Sequence, residues 1–247
     1  MITRIWMVWL AMVIPAAANA IPDGFVEIRE IIPDAVMDIR YVTDHNFLGT
    51  PVDGYEAASC YLTEEAAAAL AGVQADLRPF GFSVKIYDCY RPQQAVDHFV
   101  RWAKDVEDTA TQTEFYPTLE KRNLFRDGYI AEKSSHSRGS TVDLTIVPLP
   151  VPDQPEFVPG QTRQKECYLP KEQRFADNSI DMGTGFDCFH ERSHPENPDM
   201  GQSQRINRLL LKTLMEKHGF QYYEKEWWHF TLKNEPFPDT YFDFKVK

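Results

Sequence analysis

Two histidines and an aspartate have the residue types and spacing of ligands to a zinc ion. His136 and Asp143 lie seven residues apart in SSHSRGSTVDL (134–144), and His229 lies in EKEWWHFTL (224–232). Zinc binds imidazole nitrogens and carboxylate oxygens, and three protein ligands leave one of its four positions open for water or substrate. A loop histidine followed by an aspartate is usually structural, so the predicted metal site depends on His229 as the third ligand.

Two further residues have the chemistry that hydrolysis beside a metal requires. Glu226 lies three residues before His229, and a carboxylate there can act as the general base that takes a proton from water. Side chains three apart on a straight strand point to opposite faces, so this role requires Glu226 to lie in a turn or bulge entering the strand. Arg91 in YDCYRP (87–92) follows a predicted strand, where a cation would stabilise negative charge on a substrate oxygen. An exposed glutamate and a solvated arginine are the simpler interpretations, and both stay open.

Other chemical motifs are weaker. His190 and His194 could chelate a metal as an i, i+4 helical pair, but Pro195 disfavours helix at the residue before it. The chain has no G-x-S-x-G nucleophile motif and no phosphate-binding glycine loop. The remaining histidines outside the proposed site have no ligand-like neighbours and are predicted to be structural or surface residues: His45, His98 and His218.

Hydrophobic periodicity and capping residues predict the elements that position these side chains. Helices are predicted at 63–79, with Thr63 as N-cap, from Pro92 through Ala103, and from Ile206 through Leu214 to an end at Gly219. Strands are predicted at 82–87, 141–147 and 228–232, and the segments 109–135 and 150–200 are predicted loops. Helices and strands alternate without a regular strand–helix–strand rhythm. This pattern predicts an α+β fold, a single domain with a mixed or antiparallel sheet flanked by helices.

The first 20 residues have the features of a signal peptide. Arg4 precedes the apolar run 5–14, and Ala18-Asn19-Ala20 has the small-residue pattern that signal peptidase recognises. The run is shorter than the roughly 20 apolar residues that span a bilayer. We therefore expect cleavage, no stable membrane anchor afterwards, and a mature domain at 21–247 in the periplasm or cell wall space; an uncleaved anchor is the alternative.

Charge and cysteine content limit the partners and the compartment. The formal net charge of −11 argues against nucleic acid or an anionic membrane surface as partner. An even number of cysteines in an exported chain is typical of two disulfides, and four cysteines allow three pairings. We favour the two nearest-neighbour pairs, Cys60–Cys89 and Cys167–Cys188. A zinc site made of all four cysteines competes with this interpretation, but the chain has no C-x-x-C pair.

Taken together, the motifs resemble those of the D-alanyl-D-alanine dipeptidase family of zinc peptidases. The resemblance runs from about Tyr41 to Lys247 and is carried by motifs spread along the chain: PVDGYE (51–56), YRP (90–92), SSHSRGS-x-x-DLT (134–145), MG-x-x-FD (182–187), ERSH (191–194), EWWH (226–229) and YFDF-x-VK (241–247).

The resemblance implies a role for each candidate residue. It implies zinc ligation by His136, Asp143 and His229, with Glu226 as general base and Arg91 as the transition-state cation. It further implies that Asp187 binds the substrate ammonium group, which suits a charge-assisted hydrogen bond. Ser134, beside the metal motif, is a candidate substrate-binding residue.

The implied reaction is hydrolysis of D-Ala-D-Ala to two D-alanines with one zinc ion per chain, which in an exported protein would recycle D-alanine during peptidoglycan turnover. Family members of the vancomycin-resistance type act in the cytoplasm, where disulfides are rare, so a resistance role is not expected here. The chain also has extra residues between Asp143 and Asp187. A zinc D,D-carboxypeptidase that trims longer wall peptides is one alternative. A non-catalytic zinc protein that binds wall peptides is another, although simple binding needs no general base.

Overall fold

A five-stranded mixed sheet forms the centre of the protein, whose computed structural model describes residues 20–247. The predicted signal peptide lies, except for Ala20, outside these residues. The described part of the chain contains seven strands: β1 (Phe25–Glu27), β2 (Val36–Met37), β3 (Tyr61–Thr63), β4 (Phe82–Asp88), β5 (Thr141–Pro148), β6 (Phe220–Tyr223) and β7 (Glu226–Leu232). The main sheet has the order β2-β4-β5-β7-β6. Strand β2 is parallel to β4 and the other pairs are antiparallel, while β1 and β3 form a separate antiparallel pair. The predicted α+β fold is confirmed.

Within residues 20–247, five helices accompany the sheets: α1 (Ile28–Ile31), α2 (Glu64–Leu77), α3 (Gln93–Lys104), α4 (Gln112–Phe115) and α5 (Gln202–Lys217). Helix α2 begins as predicted, because the Thr63 hydroxyl accepts a hydrogen bond from the Ala66 N–H. It ends two residues before Pro79, where the chain continues as a short 3-10 turn. Among the described residues, no helix is both long and apolar enough to cross a membrane.

The third predicted helix is present as α5, but several of its apolar residues face outward. Ile206 is 56% exposed and Leu209 is 63% exposed, whereas Arg208 is buried on the inner face. The Arg208 guanidinium donates hydrogen bonds to the backbone carbonyls of Met182, Arg192 and His194. These bonds compensate for the burial of the cation and join α5 to the long loop before it.

The loop between 150 and 200 contains only short 3-10 turns, as predicted. It is fixed to the sheet by a buried cluster of charges around Asp177. One carboxylate oxygen of Asp177 accepts hydrogen bonds from Arg40 (2.9 Å), Lys85 (3.1 Å) and the Tyr87 hydroxyl (2.8 Å). The Lys85 amine is also 2.9 Å from Asp38. This cluster holds the loop against β4.

Both favoured disulfides are present. Cys60–Cys89 joins the start of β3 to the end of β4, and Cys167–Cys188 closes the long loop. The alternative of a four-cysteine zinc site is therefore wrong.

Candidate metal centre

Two neighbouring strands and the turn before one of them bring the predicted metal ligands together. Asp143 on β5 pairs with His229 on β7 and, on its other side, with Asp88 on β4, so the three residues form one row across the sheet. His136 reaches the row from the 3-10 turn Ser135–Arg138 immediately before β5. One ligand atom from each of His136, Asp143 and His229 lies within 4.8 Å of the other two.

The facing atoms of this triad are in close proximity. The His136 Nε2 atom lies 3.2 Å from the Asp143 Oδ2 atom and 3.2 Å from the His229 Nδ1 atom. The His229 Nδ1 atom lies 3.1 Å from the Asp143 Oδ1 atom. That Oδ1 atom is buried and has no hydrogen-bond partner among the described residues. Two imidazole nitrogens converging on such a carboxylate fit a zinc ion, which takes nitrogen and oxygen ligands.

Gly139 allows the chain to turn from His136 into β5. Its φ of +82° lies in the left-handed region that favours glycine. A Cβ atom at this position would lie 2.2 Å from the ring of Phe25. Glycine is therefore required both by the backbone conformation and by the close approach of the aromatic ring.

Hydrogen bonds fix the orientation of both imidazoles. The His136 Nδ1–H donates to the Cys89 carbonyl oxygen at 2.6 Å, and the His229 Nε2 atom is hydrogen-bonded to the Ser135 hydroxyl at 3.2 Å. Each bond leaves the other ring nitrogen free to face the centre of the triad. Metal-binding histidines are commonly oriented by such partners.

The surroundings of Asp143 and His229 shift both groups towards the forms that bind a metal. Burial alone favours the neutral acid of Asp143, but the adjacent His136 and His229 outweigh this effect and hold the pKa of Asp143 below its usual range. Burial lowers the pKa of His229 and so favours its neutral form. A carboxylate and a neutral imidazole are the forms that bind a metal.

The bend required for Glu226 is present at the start of β7. Tyr222 of β6 pairs with Phe230, whereas the next residue, Tyr223, pairs with Glu226, so β7 has three extra residues between the two pairs. Trp228, within this bulge, is fully buried. As a result the Glu226 Oε2 atom lies 3.6 Å from the His229 Nδ1 atom.

The surroundings of Glu226 favour its protonated form. Burial, with the nearby carboxylates of Asp143 and Asp187, holds the pKa of Glu226 well above its usual range. A general base works best when its pKa approaches the operating pH.

Arg91 enters the same site and is held by Asp88. The Arg91 Nε and Nη2 atoms each lie 2.9 Å from the Asp88 Oδ2 atom, and the Tyr55 hydroxyl donates to the other oxygen at 2.6 Å. The Arg91 Nη2 atom lies 3.6 Å from Asp143. The guanidinium also packs against the rings of Tyr41 and Phe99. Arg91 is thus a fixed cation beside the triad.

Asp187 and Ser134 complete the set of predicted residues. Asp187 is buried and accepts a hydrogen bond from the Tyr41 hydroxyl at 2.8 Å. Burial, with the Asp143 carboxylate, raises the pKa of Asp187 to about 8. The Ser134 hydroxyl accepts a hydrogen bond from the His136 N–H at 3.3 Å and lies 3.5 Å from Arg91.

One cavity of about 230 Å³ contains all of these groups. Its volume is smaller than the roughly 300–1,000 Å³ of pockets that bind drug-sized ligands. Because a water molecule occupies about 30 Å³ in the liquid, the cavity has room for a small ligand. All seven residues proposed from the sequence line it: Arg91, Ser134, His136, Asp143, Asp187, Glu226 and His229. Most of the rest of the wall is apolar or aromatic, and includes Tyr41, Phe99, Tyr129 and Phe189.

Sequence reasoning missed three residues that support the site. Asp88 could have been found from its position three residues before Arg91, but Tyr41 and Ser135 are brought to the site only by the fold. The i, i+4 helical arrangement of the alternative histidine pair is not present, because Glu191–Ser193 form a 3-10 turn and the His190 Nδ1 atom accepts the Arg192 N–H.

Comparison with known proteins points to one family. A sequence model for the family described as D-ala-D-ala dipeptidase matches residues 22–150 and 171–247. The chain is 40% identical to a D-alanyl-D-alanine dipeptidase of Enterococcus faecalis, over 91% of this chain and 98% of that protein. D-alanyl-D-alanine dipeptidases of Enterococcus faecium and Streptomyces coelicolor are each 37% identical, over 91% and 90% of this chain and 98% of each relative. The unmatched residues, 151–170, lie in the long loop between β5 and α5.

Proposed function

This chain belongs to the D-Ala-D-Ala dipeptidase family, and from that premise we propose that it hydrolyses D-Ala-D-Ala to two D-alanines at one zinc ion. The ion would be held by His136, Asp143 and His229. The observation that carries the proposal is one small cavity in which this triad, a buried glutamate and a fixed arginine converge. The names of the relatives supply the substrate.

The proposed mechanism assigns each side chain a task. Zinc, when bound, would act as a Lewis acid that polarises the substrate carbonyl and lowers the pKa of water to about 7. The Glu226 Oε2 atom takes a proton from the attacking water and passes it to the amine that leaves when the peptide C–N bond breaks. Arg91 stabilises the negative charge that develops on the carbonyl oxygen. Its guanidinium is already oriented by Asp88, so no reorganisation is needed as the charge appears.

Substrate binding is proposed to depend on Asp187. Its carboxyl lies in a buried part of the cavity, where the free ammonium group of a dipeptide would favour the ionised carboxylate and form a strong charge-assisted hydrogen bond with it. In a longer wall peptide the same nitrogen is an uncharged amide. The small volume and the acidic group therefore favour the dipeptidase over the carboxypeptidase alternative, and the buried Glu226 favours an enzyme over a binding protein.

The proposed place of action is outside the cytoplasm, in the periplasm or cell wall space, where the reaction would return D-alanine from peptidoglycan turnover. The apolar run at 5–14 with its cleavage-like Ala18-Asn19-Ala20 supports export. Two disulfides are consistent with an oxidising compartment. Cell fractionation tests this directly: the mature protein is expected in the exported fraction, and activity found only in the cytosol would contradict it.

A substrate comparison tests the reaction. Zinc-loaded protein is incubated with D-Ala-D-Ala and, separately, with a pentapeptide ending in D-Ala-D-Ala, and free D-alanine is assayed. We expect cleavage of the dipeptide alone, with the Michaelis constant raised in Asp187→Asn. Cleavage of the pentapeptide would favour the carboxypeptidase, and cleavage of neither would favour the binding protein.

A further inference from the structure

The cavity wall that carries Asp187 is fastened to a segment that the family model does not match. Asp187 directly precedes Cys188, and Cys188 forms a disulfide with Cys167. Cys167 lies within residues 151–170, outside the family match. Both cysteines are buried, so the bond lies inside the wall rather than on the surface.

The backbone at Asp187 is in a conformation that needs support. Its φ of +55° lies in the left-handed region, and Asp187 is the one non-glycine residue between 20 and 247 with a positive φ. Such a conformation persists when the surrounding structure holds it. It directs the carboxyl into the cavity, where the Tyr41 hydroxyl donates to it at 2.8 Å.

Backbone hydrogen bonds on both sides of the disulfide hold this wall. The Gly185 N–H donates to the Cys167 carbonyl at 2.8 Å, and the Cys167 N–H donates to the Glu114 carbonyl at 3.1 Å. The Phe189 N–H donates to the Phe115 carbonyl at 2.7 Å. Residues 185–189 are thus hydrogen-bonded to α4 at both ends. Phe189 bonds to α4 directly, and Gly185 bonds to Cys167, which in turn bonds to α4.

The unmatched segment is anchored to the protein at a second point. The ring of Phe157 stacks on the ring of His45, with centroids 4.2 Å apart and planes 5° apart. His45 is in turn 2.7 Å from the Glu114 carboxylate. Glu114 of α4 is therefore linked to the segment in two ways. Its backbone carbonyl accepts the Cys167 N–H, and its carboxylate contacts His45, on which Phe157 stacks.

We infer that the Cys167–Cys188 disulfide is a positioning element for substrate binding, by which the segment 151–170 holds Asp187 in place for the substrate ammonium group. The inference rests on the proposed function for the identity of the ligand. The disulfide touches no reacting atom, so its loss should weaken binding of the free amine and leave the hydrolytic step unchanged.

The test compares two disulfide-deficient variants, Cys167→Ser/Cys188→Ser and, as matched control, Cys60→Ser/Cys89→Ser. In the first, the Michaelis constant for D-Ala-D-Ala should rise by about 10- to 150-fold, the effect of one charge-assisted hydrogen bond, with kcat within about threefold of wild type. The control removes a disulfide on the metal side, where the Cys89 carbonyl orients a predicted ligand, so kcat or zinc content should fall instead. An equal rise in the Michaelis constant in both variants would overturn the inference.

A double-mutant cycle separates positioning from general loosening. In an Asp187→Asn background, loss of the Cys167–Cys188 disulfide should not raise the Michaelis constant further, because the group it positions is already neutral. A full further rise would contradict the inference.

A structural readout does not depend on activity. A crystal structure of Cys167→Ser/Cys188→Ser should show Asp187 without its positive φ or without its bond to Tyr41; an unchanged Asp187 would overturn the inference. Failure of wild type to cleave D-Ala-D-Ala would refute the proposed function alone. If the double serine variant does not fold by circular dichroism, Phe157→Ala takes its place, with a smaller rise expected and an unchanged Michaelis constant as the contrary result.

Discussion

Replacing Asp88 with asparagine tests whether Arg91 works as a positioned cation. Asp88 is fully buried, and one of its carboxylate oxygens lies 2.9 Å from both the Nε and the Nη2 atoms of Arg91. Hydrogen bonds to charged groups contribute about 1.5–3 kcal/mol each. Asparagine keeps the shape of the side chain but removes the charge and half of the acceptors.

The expected loss follows from these contacts. If the loss of these contacts weakens the stabilisation of the transition state by Arg91 by about 2–4 kcal/mol, kcat/KM for D-Ala-D-Ala should fall by roughly 30- to 900-fold. Each 1.36 kcal/mol corresponds to a tenfold change in rate. Steady-state kinetics on the zinc-loaded Asp88→Asn variant measure this change, with zinc content and circular dichroism as checks on folding. The loss should appear mainly in kcat, because Arg91 acts on charge that develops during the reaction.

The control is a cycle with Arg91→Ala. In that background Asp88→Asn should cost little further activity, because the cation that it positions is absent. Retention of activity within threefold in Asp88→Asn, or an equal loss with and without Arg91, would refute the reasoning.

Three further changes test other parts of the site and fold. Glu226→Gln should lower kcat by about 10²- to 10⁴-fold, the usual contribution of a general base, while zinc content by atomic absorption stays the same; an active glutamine variant would exclude Glu226 as the base. Gly139→Ala should lower the midpoint of thermal unfolding and zinc retention, because a methyl group there meets the Phe25 ring; unchanged melting and zinc content would contradict this. Asp177→Asn should lower the free energy of unfolding in urea by about 3–5 kcal/mol, since it breaks a buried ion cluster. The pKa of Asp177 is lowered in the folded protein, because the nearby Lys85 and Arg40 more than offset the effect of burial. Its stabilisation should therefore be complete above about pH 4 and be lost as the pH falls towards the folded-state value, so the difference between wild type and variant should shrink on acidification; a difference independent of pH would contradict the assignment.

The sequence predicted the metal triad because its ligands follow from local motifs. His136 and Asp143 belong to one motif, and the strand pairing that joins Asp143 to His229 is consistent with the predicted strands at 141–147 and 228–232. The need for a bend at Glu226 also followed from strand geometry. What the sequence did not contain was the size of that bend, since the three extra residues of β7 depend on how the hairpin pairs with β6.

Several elements escaped prediction for physical reasons. Strands β1, β2 and β3 are two or three residues long, too short to show an alternating pattern. In α5 the apolar residues predict a buried face that includes Ile206 and Leu209, yet both point outward and the inner face contains Arg208, whose guanidinium bonds to loop carbonyls distant in the chain. Contacts between residues distant in the chain, which bring Tyr41 to the cavity, are likewise absent from local patterns.

The account is tested most directly by adding zinc to metal-free protein while bound zinc and D-alanine release from D-Ala-D-Ala are followed together. We expect activity to rise in proportion to bound zinc and to stop at one ion per chain, and the variant His229→Ala to show neither tight binding nor turnover. Hydrolysis by the metal-free protein, or one tightly bound zinc ion with no hydrolysis, would contradict the account.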